Sequence, residues 1–286
     1  MRILKRVLLA TALCLPAAAL AQVSYTPMPL DKGFGELDPS QPTLPVAEIL
    51  TRFEARESEC RRALASYTYE RTVKVETVDD DGKVDGQYTE VVDITADPNG
   101  KLYERVVHAP ANTIQRVMMT PADFDDIEHR LPFVLTTEDA GQYDLTYLGK
   151  QKVDEVNTYV FTVKPKVLEK GKRYFEGRIW VDQKELQIVV TSGKNVPDDL
   201  RRGHEDLSTP FMTYRAQVDG KYWFPVYTHG DGVLHFPAGK GYLGEEVHMR
   251  QTIKYTDYKK FGSSIRITYD GQDVERDQSA PAQKPH

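Results

Sequence analysis

Residues 175–190 read FEGRIWVDQKELQIVV, and this stretch decides the fold. Two apolar runs flank the charged residues 182–185, and apolar side chains alternate along each run with the period of a half-buried β-strand. The stretch therefore predicts an antiparallel hairpin with a solvated, charged turn rather than a catalytic element. Strand parity places Arg178 and Trp180 on the outer face, and it places a second set toward the core: Phe175, Ile179, Val181, Ile188 and Val190.

The same period of two recurs from residue 66 to about residue 269, with turn residues between the runs. It predicts about eleven strands, including one at 112–119, and hairpin turns at 97–100 and 229–232. Because strands do not alternate with helices, a parallel sheet is excluded and consecutive antiparallel hairpins are expected. A sheet of this size curls. The predicted class is mainly β (α+β), an unclosed antiparallel half-barrel with helices over its concave face.

Two segments carry helical periodicity instead. The first begins near Val46, with Thr43 as the expected N-cap and Pro45 in the first turn, and its apolar stripe is interrupted at Glu57. The second covers residues 120–131 and opens with a capping box formed by Thr120 and Asp123. Cys60 lies on the first stripe, which predicts a buried thiol rather than a reactive one.

The two ends of the chain differ from the middle. Residues 1–21 have a basic start, an apolar run and a small-residue cleavage signature, so they predict a signal peptide cleaved after Ala21 and an exported, periplasmic protein. Residues 22–45 are rich in proline and predict an extended tether. The folded domain is expected over residues 46–270, and residues 271–286 are expected to form a disordered tail.

The net charge and the sequence motifs limit the classes of function that the chain can have. The formal net charge of −6 argues against nucleic-acid binding, which relies on neutralising phosphates. The chain contains no nucleophile elbow, HExxH, CxxC or phosphate-loop motif. His229, Asp231, His235 and His248 lack the close spacing of metal ligands. We therefore expect no enzyme activity, no cofactor and no metal, although the many carboxylates leave an envelope hydrolase as a less favoured alternative.

The order of segments from residue 46 resembles the LolA-like family of periplasmic lipoprotein and lipid carriers. The segments are LPFVL at 131–135, GQYDLTYLG at 141–149, YVFTVKPK at 159–166, VDGKYWFPVYTHGDGVLHF at 218–236 and YTDYKKFGS at 255–263. The resemblance implies a half-barrel whose concave side holds acyl chains, covered by a lid helix. The expected partner is a lipid or an acylated protein, with an envelope membrane protein as a further partner of a monomeric carrier.

Strand parity and this resemblance together give a candidate site. The predicted cavity lining comprises Tyr67, Tyr69, Val92, Tyr143, Leu145, Tyr159, Phe161, Ile179, Val181, Ile188, Val190 and Phe224. The predicted lid comprises Phe124, Ile127, Leu131 and Phe133. The alternative function is an envelope sensor or scaffolding module of the same fold that binds a protein partner.

Overall fold

The computed structural model describes residues 25–96, 101–198, 200–201, 204–205, 208–236, 238, 243–261, 268–269 and 272–273. The predicted signal peptide, the 97–100 turn and most of the predicted tail lie outside these residues. The ten long strands are β1 (Tyr67–Val78), β2 (Val84–Ala96), β3 (Leu102–His108), β4 (Tyr143–Val153), β5 (Val156–Pro165), β6 (Tyr174–Asp182), β7 (Ile188–Val196), β10 (Phe211–Val218), β11 (Tyr222–Phe236) and β12 (Glu245–Lys260). Four two-residue strands form two small hairpins: β8 (Leu200–Arg201), β9 (His204–Glu205), β13 (Thr268–Tyr269) and β14 (Gln272–Asp273).

The ten long strands form one antiparallel sheet with the order β3-β2-β1-β12-β11-β10-β7-β6-β5-β4. Consecutive strands are mostly neighbours, because short turns connect them, and β1 pairs with β12 along almost its whole length. The two end strands, β3 and β4, do not pair with each other, so the sheet is not closed. The prediction of an unclosed antiparallel half-barrel is confirmed.

The quoted hairpin comprises β6 and β7. Its turn is held by Asp182, whose carboxylate accepts hydrogen bonds from the Lys184 and Glu185 amides at 3.1 Å each. Leu186 completes the reversal with a φ of 53°. The charged residues therefore form a turn, as the sequence indicates.

Two helical segments lie over the concave face. α1 (Val46–Leu64) is capped by Pro45 rather than by the expected Thr43, because Pro45 already has the extended conformation of an N-cap. α2 (Pro121–Asp125) continues into a π-helical turn (Asp126–Arg130). The predicted capping box is present: the Asp123 carboxylate accepts hydrogen bonds from the Thr120 amide at 2.6 Å and from its hydroxyl at 2.7 Å. No helix in the described part of the chain has the length and apolarity that a bilayer crossing requires.

Part of the convex face, around Trp180, is covered by residues 31–40, here called the strap. Phe34 lies edge-on to the ring of Trp180, with 5.2 Å between ring centroids. The strap then pairs with the outer edge of β4, where Gly35 and Asp38 amides donate to the carbonyls of Lys152 and Lys150 at 2.8 Å. Residues 31–40 of the segment predicted as a tether are thus held against the sheet.

Two local predictions were wrong. Residues 112–119 form no strand; they run irregularly along β2, where the Thr113 amide donates to the Gln87 carbonyl at 3.0 Å. The glycine-rich residues 229–232 form no turn and continue β11. A Cβ on Gly230 would come within 3.0 Å of the Pro210 carbonyl oxygen, so this glycine permits a close approach of residues 208–210 rather than a chain reversal.

Candidate functional site

A largely apolar cavity of about 290 Å³ lies between α1, the 128–134 segment and one end of the sheet. Its floor is formed by residues that are themselves buried: Cys60, Ile94, Phe224 and Tyr255. Leu64 and Ala65 at the end of α1 form one side, and Pro132 and Val134 form the roof. The arrangement provides a partly enclosed, largely apolar volume that opens at the edge of the sheet.

The entrance is marked by the more exposed lining residues. Glu104 and Leu102 come from the end strand β3, and Leu102 is 43% exposed. Glu128 and His129 come from the π-helical turn, and the His129 side chain is 70% exposed. A ligand that enters here would place its polar end among these groups and its apolar end on the floor.

Arg71 lies at the boundary between entrance and floor. Its side chain is 4% exposed, and its Nη2 is 3.0 Å from one Glu104 oxygen and 3.8 Å from Glu128. Burial, and then the nearby charge of Glu104, raises the pKa of Glu128. Two carboxylates therefore share one guanidinium.

A second buried ion pair supports the cavity from below. The Arg215 Nη1 lies 3.0 Å from Glu57 Oε2, and both side chains are at most 1% exposed. The other Glu57 oxygen accepts a hydrogen bond from the Ile188 amide at 2.9 Å. Complete burial raises the pKa of Glu57, and the Arg215 charge and the Ile188 amide offset this in part. The pair connects α1 to β7 and β10.

Two hydrogen bonds attach the roof to β10. Arg215 Nη2 donates to the Phe133 carbonyl, and the Thr213 hydroxyl donates to the Leu131 carbonyl at 2.8 Å. Both acceptors are backbone groups of the predicted lid. The roof is also held by packing, because Leu131 and Phe133 are buried in the main core.

Few of the predicted lining residues reach this cavity. Tyr69 and Phe224 do. A second group, here called the packed wall, lies in the solid core beneath α1: Tyr159, Phe161, Ile179, Val181 and Ile188. Tyr143 and Leu145 pack partly buried against that core. Tyr67 joins a small cluster with Cys60 and Phe224, and Val92 is buried opposite its β1 partner Arg71.

Val190 requires a correction. The prediction placed it on the concave face, but it packs with Trp180 and Met212 on the convex face. A β-bulge causes the change: Val181 pairs with Ile188, whereas Trp180 pairs with Val190, so Val189 is an extra residue. An extra residue reverses the alternation of all side chains beyond it.

The predicted lid divides between two environments. Ile127, Leu131 and Phe133 are buried in the main core, and Phe133 stacks on Phe175 with 4.2 Å between ring centroids. Phe124 is half-buried and contacts the ring of Tyr88. The residues that roof the cavity are instead their sequence neighbours Pro132 and Val134.

Sequence reasoning missed the charged residues of the site. Arg71 has the same parity as Tyr69 and Val73 in β1, and Arg215 has the same parity as the buried Phe211 in β10. Glu57 interrupts an otherwise apolar helical stripe. A charge at an inward-facing position was the signal available for all three, because such a charge requires a buried partner.

Comparison with known proteins gives matches among solved structures. No family model matches the chain. No curated protein matches it either. The structure of a DUF1329 family protein from Desulfovibrio piger matches at 13% identity and a TM-score of 0.39, covering 79% of this chain and 95% of the other.

Two further structures carry the names that the sequence resemblance suggests. A LolA superfamily protein from Nitrosomonas europaea matches at 12% identity and a TM-score of 0.29, covering 73% of this chain and 94% of the other. A putative outer membrane lipoprotein-sorting protein domain from Vibrio parahaemolyticus matches at 11% identity and a TM-score of 0.34, covering 76% and 92%.

Proposed function

We propose that this protein binds an acyl chain of a lipid or an acylated protein in the cavity and serves as an exported carrier in the cell envelope. The observation that carries the proposal is the partly enclosed, largely apolar volume of about 290 Å³ between α1, the 128–134 segment and the sheet. Ligand sites typically occupy roughly 300–1,000 Å³ and combine an apolar lining with a few polar groups. The cavity has this composition, and its volume lies just below the lower end of that range.

The volume limits what fits. Transfer of each methylene group from water is favourable by about 0.8 kcal/mol, so about ten methylenes of one chain would contribute on the order of 8 kcal/mol. A volume of about 290 Å³ suits one acyl chain rather than several, which would require the roof to move.

The proposed role is binding rather than catalysis. Export follows from the predicted signal peptide at residues 1–21, and a donor or acceptor protein in the envelope membrane would be a further partner. Loading would require the roof to move, which means breaking the hydrogen bonds that Arg215 and Thr213 donate to it and exposing part of the packing of Leu131 and Phe133.

The proposal is tested by gentle purification, organic extraction and mass spectrometry, followed by binding of the uncharged fluorescent probe N-phenyl-1-naphthylamine. We expect an acylated molecule in the extract and displacement of the probe by monoolein. Ile94→Trp replaces an aliphatic side chain of the cavity floor by a larger indole ring. It should weaken probe binding at least about tenfold, or 1.4 kcal/mol.

Val233→Trp is the matched control, because Val233 is 44% exposed on β11 and does not line the cavity. Its probe affinity should equal that of the wild type. A ligand-free protein that also fails to bind the probe would refute the proposal.

A further inference from the structure

The connection between β5 and β6 presents two large apolar side chains to solvent. Val167 is 66% exposed and Leu168 is 51% exposed. Among the described residues, they are the only adjacent pair of exposed large apolar side chains that lies outside a strand. Single exposed apolar residues are normal on a protein surface, so the meaning of this pair depends on its surroundings.

Four exposed lysines surround this pair: Lys164, Lys166, Lys170 and Lys172. Residues 164–172, here called the basic loop, hold these four positive charges against one negative charge, that of Glu169, in a chain whose formal net charge is −6. Lys172 is paired with Glu169 at 2.8 Å. Within the described part of the chain the other three lysines form no ion pair, although Asp144 lies opposite Lys164 in the register of β4 and β5. The basic loop is therefore locally positive.

The basic loop also has a defined conformation. The Lys172 amide donates to the Glu169 carbonyl at 3.2 Å, and Gly171 closes this turn with a φ of 80°. The Glu169 carboxylate accepts a second hydrogen bond from the Tyr174 hydroxyl at 3.0 Å. Because the backbone is already ordered, a contact made by the loop loses little further conformational entropy.

The basic loop and the acyl-chain cavity lie at opposite ends of the sheet. The strand register places Tyr174, just after the loop, beside Val196 at one end. It places Phe224 of the cavity floor beside Ala216, toward the other end. A contact through the loop therefore leaves the cavity entrance uncovered, and substitutions in the loop should not change probe binding.

We propose that the basic loop is a docking site for the surface of an anionic lipid bilayer. Val167 and Leu168 would enter the boundary between head groups and acyl chains, and the lysine ammonium groups would stay at the level of the lipid phosphates. An apolar contact and a basic cluster together give an attachment that neither gives alone. A symmetric contact with a second copy of the chain would instead bring two lysine clusters together, which is unfavourable.

The test measures co-sedimentation of the protein with lipid vesicles. One set contains phosphatidylcholine alone, and the other contains equal parts of phosphatidylcholine and phosphatidylglycerol. At low ionic strength we expect a partition coefficient at least about tenfold higher for the phosphatidylglycerol vesicles. The ratio should fall as salt is added, because salt screens the attraction between the lysines and the lipid phosphates.

The charge contribution is tested with Lys164→Gln/Lys166→Gln/Lys170→Gln, which removes the three unpaired charges of the basic loop. The partition coefficient for phosphatidylglycerol vesicles should fall at least about tenfold. The matched control removes the same charge from exposed lysines elsewhere and should keep the wild-type value: Lys184→Gln/Lys254→Gln/Lys259→Gln.

The apolar contribution is tested with a dye attached to a single cysteine. Cys60 is buried and Cys14 lies in the predicted signal peptide, so Leu168→Cys can be labelled selectively with an environment-sensitive fluorophore. Its emission should increase and shift to shorter wavelength on phosphatidylglycerol vesicles. Val107→Cys is the matched control, because Val107 is 52% exposed on β3 and has no lysine cluster, and its emission should stay constant.

The outcomes are separate from those of the acyl-chain proposal, which concerns other residues. A wild-type protein without preference for phosphatidylglycerol vesicles overturns bilayer docking, and so does binding that persists in the triple lysine variant. A dimer that depends on the basic loop, seen by sedimentation velocity without vesicle binding, would identify a second copy as the occupant and overturn it as well. Loss of vesicle binding with unchanged affinity for N-phenyl-1-naphthylamine supports the basic loop as the docking site.

Discussion

The packed wall and the cavity floor belong to the same concave face, yet only one of them leaves space. On the packed wall, Phe161 and Ile179 are fully buried and pack into one cluster with Phe53 of α1. On the cavity floor, Ile94 and Phe224 are equally buried, but they border an open volume of about 290 Å³. Burial alone therefore does not distinguish core from binding site. What differs is the cover: α1 and the lid fill one region and only roof the other.

Replacing one aromatic residue of the packed wall and one of the cavity lining by alanine tests this difference most strongly. Phe161→Ala should lower the free energy of unfolding by about 3–5 kcal/mol, because it opens a void in close-packed core. Tyr69→Ala should cost less than about 3 kcal/mol, since its ring already borders space. Urea denaturation measures both losses, provided that the variants and the wild type have the same m-value. Equal losses would show that the two regions are packed alike.

The buried Glu57–Arg215 ion pair lies between the two regions. Breaking it should lower the free energy of unfolding by a similar amount. Glu57→Ala leaves Arg215 buried without its carboxylate, and we expect the free energy of unfolding to fall by about 3–5 kcal/mol. Glu59→Ala is the control on the same helix, where exposed partners Arg56 and Lys221 make its loss less than about 1 kcal/mol. Similar unfolding curves for the two variants would contradict a structural role for the pair.

The strap should contribute less and should leave the cavity unaffected. Phe34→Ala removes a half-buried ring from Trp180, and we expect a loss of about 1–2 kcal/mol in the free energy of unfolding. In a Trp223→Phe background, the emission of Trp180 should shift to longer wavelength as water reaches the indole. Probe binding should not change, and a weakened probe affinity would mean that the two faces are coupled.

The smallest expected effect concerns the Cys60 thiol. It appears in the rate of reaction with a thiol reagent and not in the free energy of unfolding. Burial, and then the charge of Glu57, raises the pKa of the Cys60 thiol to about 12, so at pH 8 the thiol is almost wholly protonated. Reaction with a thiol reagent at pH 8 should be at least about a hundredfold slower in the folded protein than in urea. The folded rate should increase about tenfold per pH unit between pH 8 and pH 10, while the fold persists. A rate that is the same with and without urea would indicate that the cavity floor is open to water.

The fold could be predicted from the sequence because it depends on repeated local signals. Alternation along β5 and β6, the Thr120–Asp123 capping box and the Asp182 turn each report their own structure, so the half-barrel and its helices follow. The position of the cavity could not be predicted in the same way. It depends on where α1 and the roof end, and Ile94 and Phe161 look alike in sequence while only one borders space.

The prediction from strand parity was wrong where a β-bulge adds one residue to β7. The bulge opposite Trp180 moves Val190 to the convex face, and no side chain near it signals the insertion. Charged residues were missed for a different reason. Arg71, Arg215 and Glu57 each read as a break in a pattern, and their partners are 33, 158 and 131 positions away in the sequence. Long-range pairing of this kind is decided by the folded topology.

The strap has a consequence for self-association. An open sheet has two edge strands, each with a row of backbone groups that are not paired within the sheet. Each row can pair with a strand of another molecule. Here the end of the β4 row at Lys150 and Lys152 is occupied by the chain's own residues Gly35 and Asp38, whereas all seven residues of the opposite end strand β3 are exposed. The strap therefore shortens the β4 edge that another strand could pair with, and among the described residues β3 is the more accessible edge.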